Sequence, residues 1–420
     1  MAASVKKITE KDSKKSALSR FKKFIFDPNY AIPAMFLMLM SEIVVNVLVI
    51  HKIKYTEIDW RAYMQEVEGF INGTYDYMLL KGDTGPLVYP AGFVYIYTAL
   101  YYITDHGVNI RLAQYIFAIL YILTLLVVFD IYRWARRVPP YAFCFMCCAS
   151  YRIHSIYILR LFNDPVAMLF MYIAIDLFIR QHWTLGCLMY SLGVSIKMNL
   201  LLFSPALFIL LMISQGTLGT IKHLTVCALP QVLLAIPFLK VNAVGYVMRS
   251  FDLGRQFFYK WTVNWRLIQE EVFLNRNFQL ALLASHILLL LIFIFIKFRK
   301  LYPNVSFSIW MSPYKRRLNA NQILLPLLTV NLIGMSFSRS LHYQFYIWYF
   351  HGLHYLLWST PLPTVIRMLT LGVMELSWNT YPSTVESSTM LHVCHGVIIL
   401  GLLFSSAFNE SSPVEHKKKK

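Results

Sequence analysis

The chain has 420 residues, 57% hydrophobic and only 14% charged. A soluble domain carries roughly a quarter charged residues, so this balance excludes an ordinary soluble protein and points to a polytopic membrane protein. The net charge of +18 would suit nucleic acid, but the basic residues gather at 6–23, 133–137, 297–317 and 417–420. Each patch lies beside an apolar span, as the positive-inside rule expects of cytoplasmic loops, and this argues against nucleic-acid binding.

Twelve spans are predicted, at 31–50, 111–131, 140–158, 164–180, 183–197, 198–214, 221–240, 278–297, 321–338, 344–359, 362–378 and 390–408. Several fall short of the roughly 20 residues that a perpendicular crossing needs. The expected organisation is a basic tail (1–30), one all-α membrane domain (31–408) and a Lys-rich tail (409–420). With the N-terminus cytosolic, this count puts every basic patch on the cytosolic side. It puts 51–110, 241–277 and the links near 160, 339 and 380 on the other. The six cysteines all fall in apolar runs and read as small core residues.

The 51–110 loop holds seven of the 21 acids and is too long for a plain connector. Trp60, Tyr63, Met64, Val67, Phe70 and Ile71 recur at helical spacing, which predicts an amphipathic helix on the membrane face. Turn signals follow at Asn72-Gly73 and 82–85, then a second apolar helix over 93–103. The stretch KGDTGPLVYPAG (81–92) lacks the Gly-Lys-Ser/Thr ending of a nucleotide loop. It reads as a proline-braced turn that shapes a cleft.

Five polar groups stand out. Asp59, in TEIDW, is either the N-cap of the amphipathic helix or a carboxylate aimed into a dry cleft for general-base work. In LRLFNDPVAM (159–168), Asn163-Asp164-Pro165 reads as an N-cap with proline at the first helical position, which leaves Arg160 unexplained. Lys197, in SIKMN, is either a functional charge at membrane depth or a snorkelling one. The aromatic-basic segment 251–271 carries Arg255, Lys260 and Arg266. Finally, FSRSLHYQFYIWYF (337–350) carries Arg339 and His342, a pair suited to phosphate. No metal-ligand spacing appears.

TEIDW, GDTGPLVYPAGFVYIY, LRLFNDPVAM, SIKMN, FDLGRQF, KWTVNWR and SRSLHYQFYIWYFH together resemble the dolichyl-phosphate-mannose-dependent α-1,3-mannosyltransferases of the endoplasmic reticulum. The resemblance implies a GT-C fold with about 12 membrane helices, a lumenal active site and both termini in the cytosol. It implies transfer of mannose from dolichyl-phosphate-mannose to Man(5)GlcNAc(2)-PP-dolichol with inversion, without cofactor or metal. Asp59 takes the place of the base. Arg339, His342, Lys197 and Arg160 are candidates for the donor phosphate. Asp83, Tyr89, Asn163, Asp164, Arg255, Trp265 and Arg266 are candidates for the rest of the substrate. Taken without the resemblance, the spans also suit a secondary transporter or a non-catalytic glycosylation subunit. A transporter would place its polar groups near the midplane, whereas here they gather at one face. The final lysines resemble a dilysine retrieval signal, and Asn72-Gly73-Thr74 is a sequon in the loop expected to be lumenal.

Overall fold

The computed structural model describes residues 22–252, 254, 257–302 and 316–409. Arg255, most of the first basic patch and the terminal lysines lie outside the described residues.

The fold is almost wholly helical. Its main helices are α1 (Ala31–Lys52), α2 (Trp60–Ile71), α3 (Ala91–Ile103), α4 (Ile110–Ala135) and α5 (Tyr151–His154), which runs on into a π turn, Ser155–Leu159. They continue with α6 (Asp164–Ile179), α7 (Trp183–Ile196), α8 (Ser204–Ser250), α9 (Arg276–Ile292), α10 (Ala320–Ser336), α11 (Phe350–Trp358), α12 (Thr364–Asn379) and α13 (Val385–Leu403). Among the described residues the only sheet is a pair of two-residue antiparallel strands, Lys81–Gly82 and Gly85–Pro86.

Among the described residues, length and hydropathy qualify five helical stretches to cross a membrane: Pro28–Lys52, Ile110–Ala135, Met198–Ser250, Arg276–Leu301 and Val385–Asn409. A sixth is the pair Pro140–Met146 and Tyr151–Leu159, bent by 52°. The sequence expectation of twelve is therefore supported only in part. Helices α6, α7, α10, α11 and α12 span 16, 14, 17, 9 and 16 residues, short of a full perpendicular crossing. The expected spans 198–214 and 221–240 lie in one helical stretch, interrupted at Gly216 (φ 69°). At 1.5 Å per residue, an unbroken α8 would run about 70 Å, over twice the apolar core of a bilayer.

Side-chain bonds show which helix ends lie together. Arg180, at the end of α6, pairs with Asp176 and also with Asp130 near the end of α4. Gln181 donates to the Leu318 carbonyl, and Asn321 to the Ala135 carbonyl. Lys297 donates to the Ser405 carbonyl beyond α13. One end of the bundle thus gathers the described basic residues around 133, 297–301 and 316–317. At the opposite end, Gln114 of α4 donates to the Ile158 carbonyl and Thr56 to the Leu159 carbonyl. Apolar side chains such as Phe36, Ile43, Val44, Leu283 and Leu288 are exposed along α1 and α9, as surfaces that face lipid require.

The two helices expected within 51–110 are present. Helix α2 buries Trp60, Tyr63, Met64 and Val67 on one stripe, and α3 packs beside it. The 81–86 hairpin closes onto α2 so tightly that a Cβ at Gly82 would stand 2.5 Å from the Ala62 carbonyl oxygen. The cysteines are all free, but the expectation that all are core residues needs correction. Cys144 and Cys148 are exposed, because they sit on the outer side of the short bent helix Phe143–Met146 and its following turn.

Candidate active site

At the end of the bundle away from the basic patches, four elements bring their polar residues together: the start of α2, the 159–164 link, the end of α7 and the segment 337–350. Asp59 occupies the N-cap position of α2, yet its side chain makes no capping bond. The carboxylate turns instead to the Tyr63 hydroxyl, 3.4 Å from Oδ2. The same hydroxyl lies 3.5 Å from Oδ1 of Asn163. A single O–H can serve only one of them at a time.

Asn163 repeats this pattern. It stands at the N-cap of α6, with Pro165 at the helix start as expected, but its side chain does not cap. Its Oδ1 accepts a 2.9 Å bond from Lys197 Nζ. Lys197 sits where α7 ends in extended backbone (φ −154°, ψ 123°) before a 3₁₀ stretch, Met198–Phe203. Its side chain does not snorkel: it is buried and pairs with Asp164 Oδ2 at 2.7 Å. Asp164 Oδ1 in turn accepts from the Trp348 indole N–H. Lys197 Nζ also lies over the rings of Tyr89, Phe345 and Trp348, at 5.3, 5.4 and 5.9 Å.

Burial pushes the Asp59 carboxyl above its ordinary range. The Lys197 charge pulls it back, Asp164 adds to the rise, and the Tyr63 bond lowers it. Desolvation disfavours the carboxylate, and a carboxylate so destabilised is a stronger base.

Arg339 and His342 stand on the next stretch. The His342 ring stacks on Phe345 (centroids 5.2 Å apart, 11° between planes), and Phe345 stacks on Trp348 (4.0 Å). Tyr343–Trp348 is a 3₁₀ helix, in which residues three apart eclipse. His342, Phe345 and Trp348 therefore form one face, directed at Lys197. Arg339 lies over Phe257 at 5.8 Å, and burial lowers its pKa from the ordinary value.

The other expected residues divide. Tyr89 belongs to the cluster, its ring edge-on to Tyr63 at 5.8 Å. Asp83 does not: it pairs with Arg61 at 2.9 Å and exchanges bonds with Gln65. Arg61 and Gln65 lie on the exposed face of α2, opposite Asp59, so Asp83 ties the hairpin down. Trp265 and Arg266 act as props. The Trp265 indole donates to the Ser338 carbonyl, and Arg266 stacks on Tyr259 at 4.3 Å. Arg160 lies half-buried at the 159–164 link, just beyond the bond that joins Thr56 to Leu159.

Sequence reading missed Trp348 and Phe345, although the three-residue period of His342, Phe345 and Trp348 was there to be read. It also missed Asn264. That side chain is fully buried, donates to the Ser338 carbonyl at 2.9 Å and accepts from the Leu341 N–H at 2.7 Å.

Fold and site define a multi-spanning membrane protein with a buried acid–lysine centre at one end of its bundle. The chain belongs to the ALG3 protein family, whose family model matches residues 36–388. It is 54% identical over 402 residues to the human Dol-P-Man:Man(5)GlcNAc(2)-PP-Dol alpha-1,3-mannosyltransferase, covering 94% of this chain and 91% of that one. The mouse protein of the same name is 54% identical over 387 residues (90% and 88%), and the Arabidopsis thaliana one 40% over 403 (92% and 91%). No solved structure matches the chain.

Proposed function

We propose that this protein transfers mannose from dolichyl-phosphate-mannose to Man(5)GlcNAc(2)-PP-dolichol in α-1,3 linkage, as its relatives' names state of them. In our reading it does so in a GT-C arrangement of about twelve membrane helices, on the lumenal face of the endoplasmic reticulum. The positive-inside rule supports that side, because the site lies at the end of the bundle away from the basic patches.

The observation that carries the chemistry is the Asp59 carboxylate, free of capping duty, half-buried and raised in pKa. Asp59 takes the proton of the acceptor mannose 3-hydroxyl. The oxygen attacks the donor's anomeric carbon, and the bond to phosphate breaks on the opposite face. The electron pair leaves with dolichyl phosphate, and the β-linked mannose becomes α-linked. The leaving phosphate gains charge during this step, and fixed cations stabilise it without reorganising. Arg339 serves as such a cation, and His342 serves as a hydrogen-bond donor beside it. Lys197 is already balanced by Asp164, so it sets the field at Asp59 and the edge of the phosphate site. The aromatic rings around Lys197 exclude water and hold the sugars in register.

Incubating purified protein with both lipids, followed by linkage analysis, tests the reading. One mannose in α-1,3 linkage is expected from the wild type. Asp59→Asn should give none while keeping the wild-type melting temperature. Arg339→Ala should raise the donor KM more than the acceptor KM. A wild type that transfers nothing, or an Asp59→Asn protein that transfers normally, defeats the reading.

A further inference from the structure

The 3₁₀ segment Tyr343–Trp348 has a second face. His342, Phe345 and Trp348 look toward Lys197, but Tyr343 and Tyr346 look the other way, and Tyr343 meets a cation. Arg152 places its guanidinium 4.7 Å from the centre of the Tyr343 ring. It is only 5% exposed, and its Nε donates to the Trp378 carbonyl at 2.9 Å. Arg160 lies close enough for the two charges to repel. One terminal nitrogen of Arg160 is buried and bonds to nothing among the described residues.

Neither arginine forms an ion pair with a described carboxylate. Glu375 is near Arg152, but its oxygens are occupied by Ser150, Tyr346 and Asn379. Two like charges drawn out of water without an acid between them are costly unless an anion joins them. Guanidinium forks suit phosphoryl oxygens in geometry and in charge. The mouth is framed by two exposed tyrosines, Tyr151 and Tyr381, each close enough to Arg160 to act on its charge. The Tyr381 ring also touches Tyr343, 5.5 Å away. Aromatic rings beside a cation at a membrane surface fit the headgroup of a phosphorylated lipid.

We propose that Arg152 and Arg160 form a second anion site, separated from the first by the 343–348 wall, that takes the diphosphate of the acceptor lipid. The proposal rests on the activity proposed above. The donor phosphate is bonded to the carbon under attack, so it must lie on the Lys197 face, across the transferred mannose from Asp59. In the acceptor, by its name, the mannoses are joined to the diphosphate through two GlcNAc units. Its anion therefore needs cations away from the base. Two guanidiniums also match a diphosphate better than a monophosphate in charge.

The test reads binding, not turnover. A short-chain polyprenyl diphosphate and the matching monophosphate are titrated calorimetrically into the full-length protein in lipid nanodiscs. The wild type and Asp59→Asn should bind the diphosphate alike. Arg160→Gln should weaken it about tenfold, as loss of a charged hydrogen bond does, and Arg160→Lys should do so less. Monophosphate binding should respond to Arg339→Ala and not to Arg160→Gln. Arg152 is buried and its removal endangers the fold, but Arg160, at the mouth, tests the site by itself. The site is overturned if the wild type binds no diphosphate, if Arg160→Gln binds it as tightly, or if Arg160→Gln loses only the monophosphate. A wild type that binds diphosphate but transfers no mannose defeats the proposed activity and leaves the site standing.

Discussion

Lys197 Nζ and Asp164 Oδ2 meet at 2.7 Å in the interior, the one from the end of α7 and the other from the start of α6. Their charges act on Asp59 in opposite senses: Lys197 lowers its pKa and Asp164 raises it, on top of the larger upward push of burial. A base must be ionised to work, so activity should rise with pH through the raised Asp59 pKa. The acid limb of kcat/KM is expected above the ordinary carboxylate range. Lys197→Gln removes the lowering charge and should carry the limb to higher pH. Asp164→Asn removes the raising charge and should carry it to lower pH. Limbs that move together, or not at all, in folded proteins would show that Asp59 does not set the profile.

The same pair bears on stability. Lys197→Met leaves a fully buried carboxylate without its partner, and breaking such a pair costs about 3–5 kcal/mol. Replacing both charges, as Lys197→Met with Asp164→Leu, removes the uncompensated charge and should recover most of that loss. Melting temperatures in detergent measure both. A double variant as unstable as the single one would mean that packing, not charge, holds the site. Neither protein should transfer mannose.

Glycine positions offer a contrast inside one molecule. A Cβ on Gly92, in the first turn of α3, would stand 2.0 Å from Ser195 Oγ and 2.9 Å from the Ser195 carbonyl oxygen. Ser195 lies two residues before Lys197, so Gly92→Ala forces the first loop away from the site. Overpacking of this kind costs about 1–3 kcal/mol, and transfer should fall with it. Gly372 and Gly396 lie within helices α12 and α13, and a Cβ at either meets nothing within 4 Å. Alanine there should be neutral or stabilise by up to about 1 kcal/mol. Equal effects at Gly92 and Gly372 would contradict the packing of α3 on α7.

The parts of this architecture written in local pattern were legible in the sequence. The apolar spacing from Trp60 to Ile71 gave α2, and the Asn163-Asp164-Pro165 start gave α6. The choice between cap and base at Asp59 was not legible, because a carboxylate at an N-cap looks the same whether or not it bonds the backbone. Only the direction of the side chain, toward Tyr63, takes the capping bond away. Span boundaries were only partly legible for a related reason: hydropathy sums composition, while helix breaks at Gly216 and Lys197 depend on single backbone angles. Arg152 was hidden in an apolar run, its charge made tolerable by a ring and a carbonyl from segments some 190 and 226 residues away.

Asn264 provides the last prediction. Its side chain bridges the Ser338 carbonyl and the Leu341 N–H, and its own carbonyl accepts from His392 at 2.7 Å. The neighbouring Val263 N–H donates to the Leu341 carbonyl at 2.8 Å. These bonds clamp the 338–341 strip, which carries Arg339 and leads into His342. Asn264→Ala leaves the buried Leu341 N–H unpaired, at about 1–3 kcal/mol, leaves the Ser338 carbonyl with only its Trp265 bond, and frees the strip to move. As a positioning residue it should raise the donor KM as Arg339→Ala does, leave the acceptor KM near its wild-type value, and lower kcat. Asn264→Asp keeps the acceptor for the Leu341 N–H and should recover part of the loss. A uniform drop in the amount of active enzyme, with both KM values unchanged, would mean that Asn264 only stabilises the fold and does not aim the donor site.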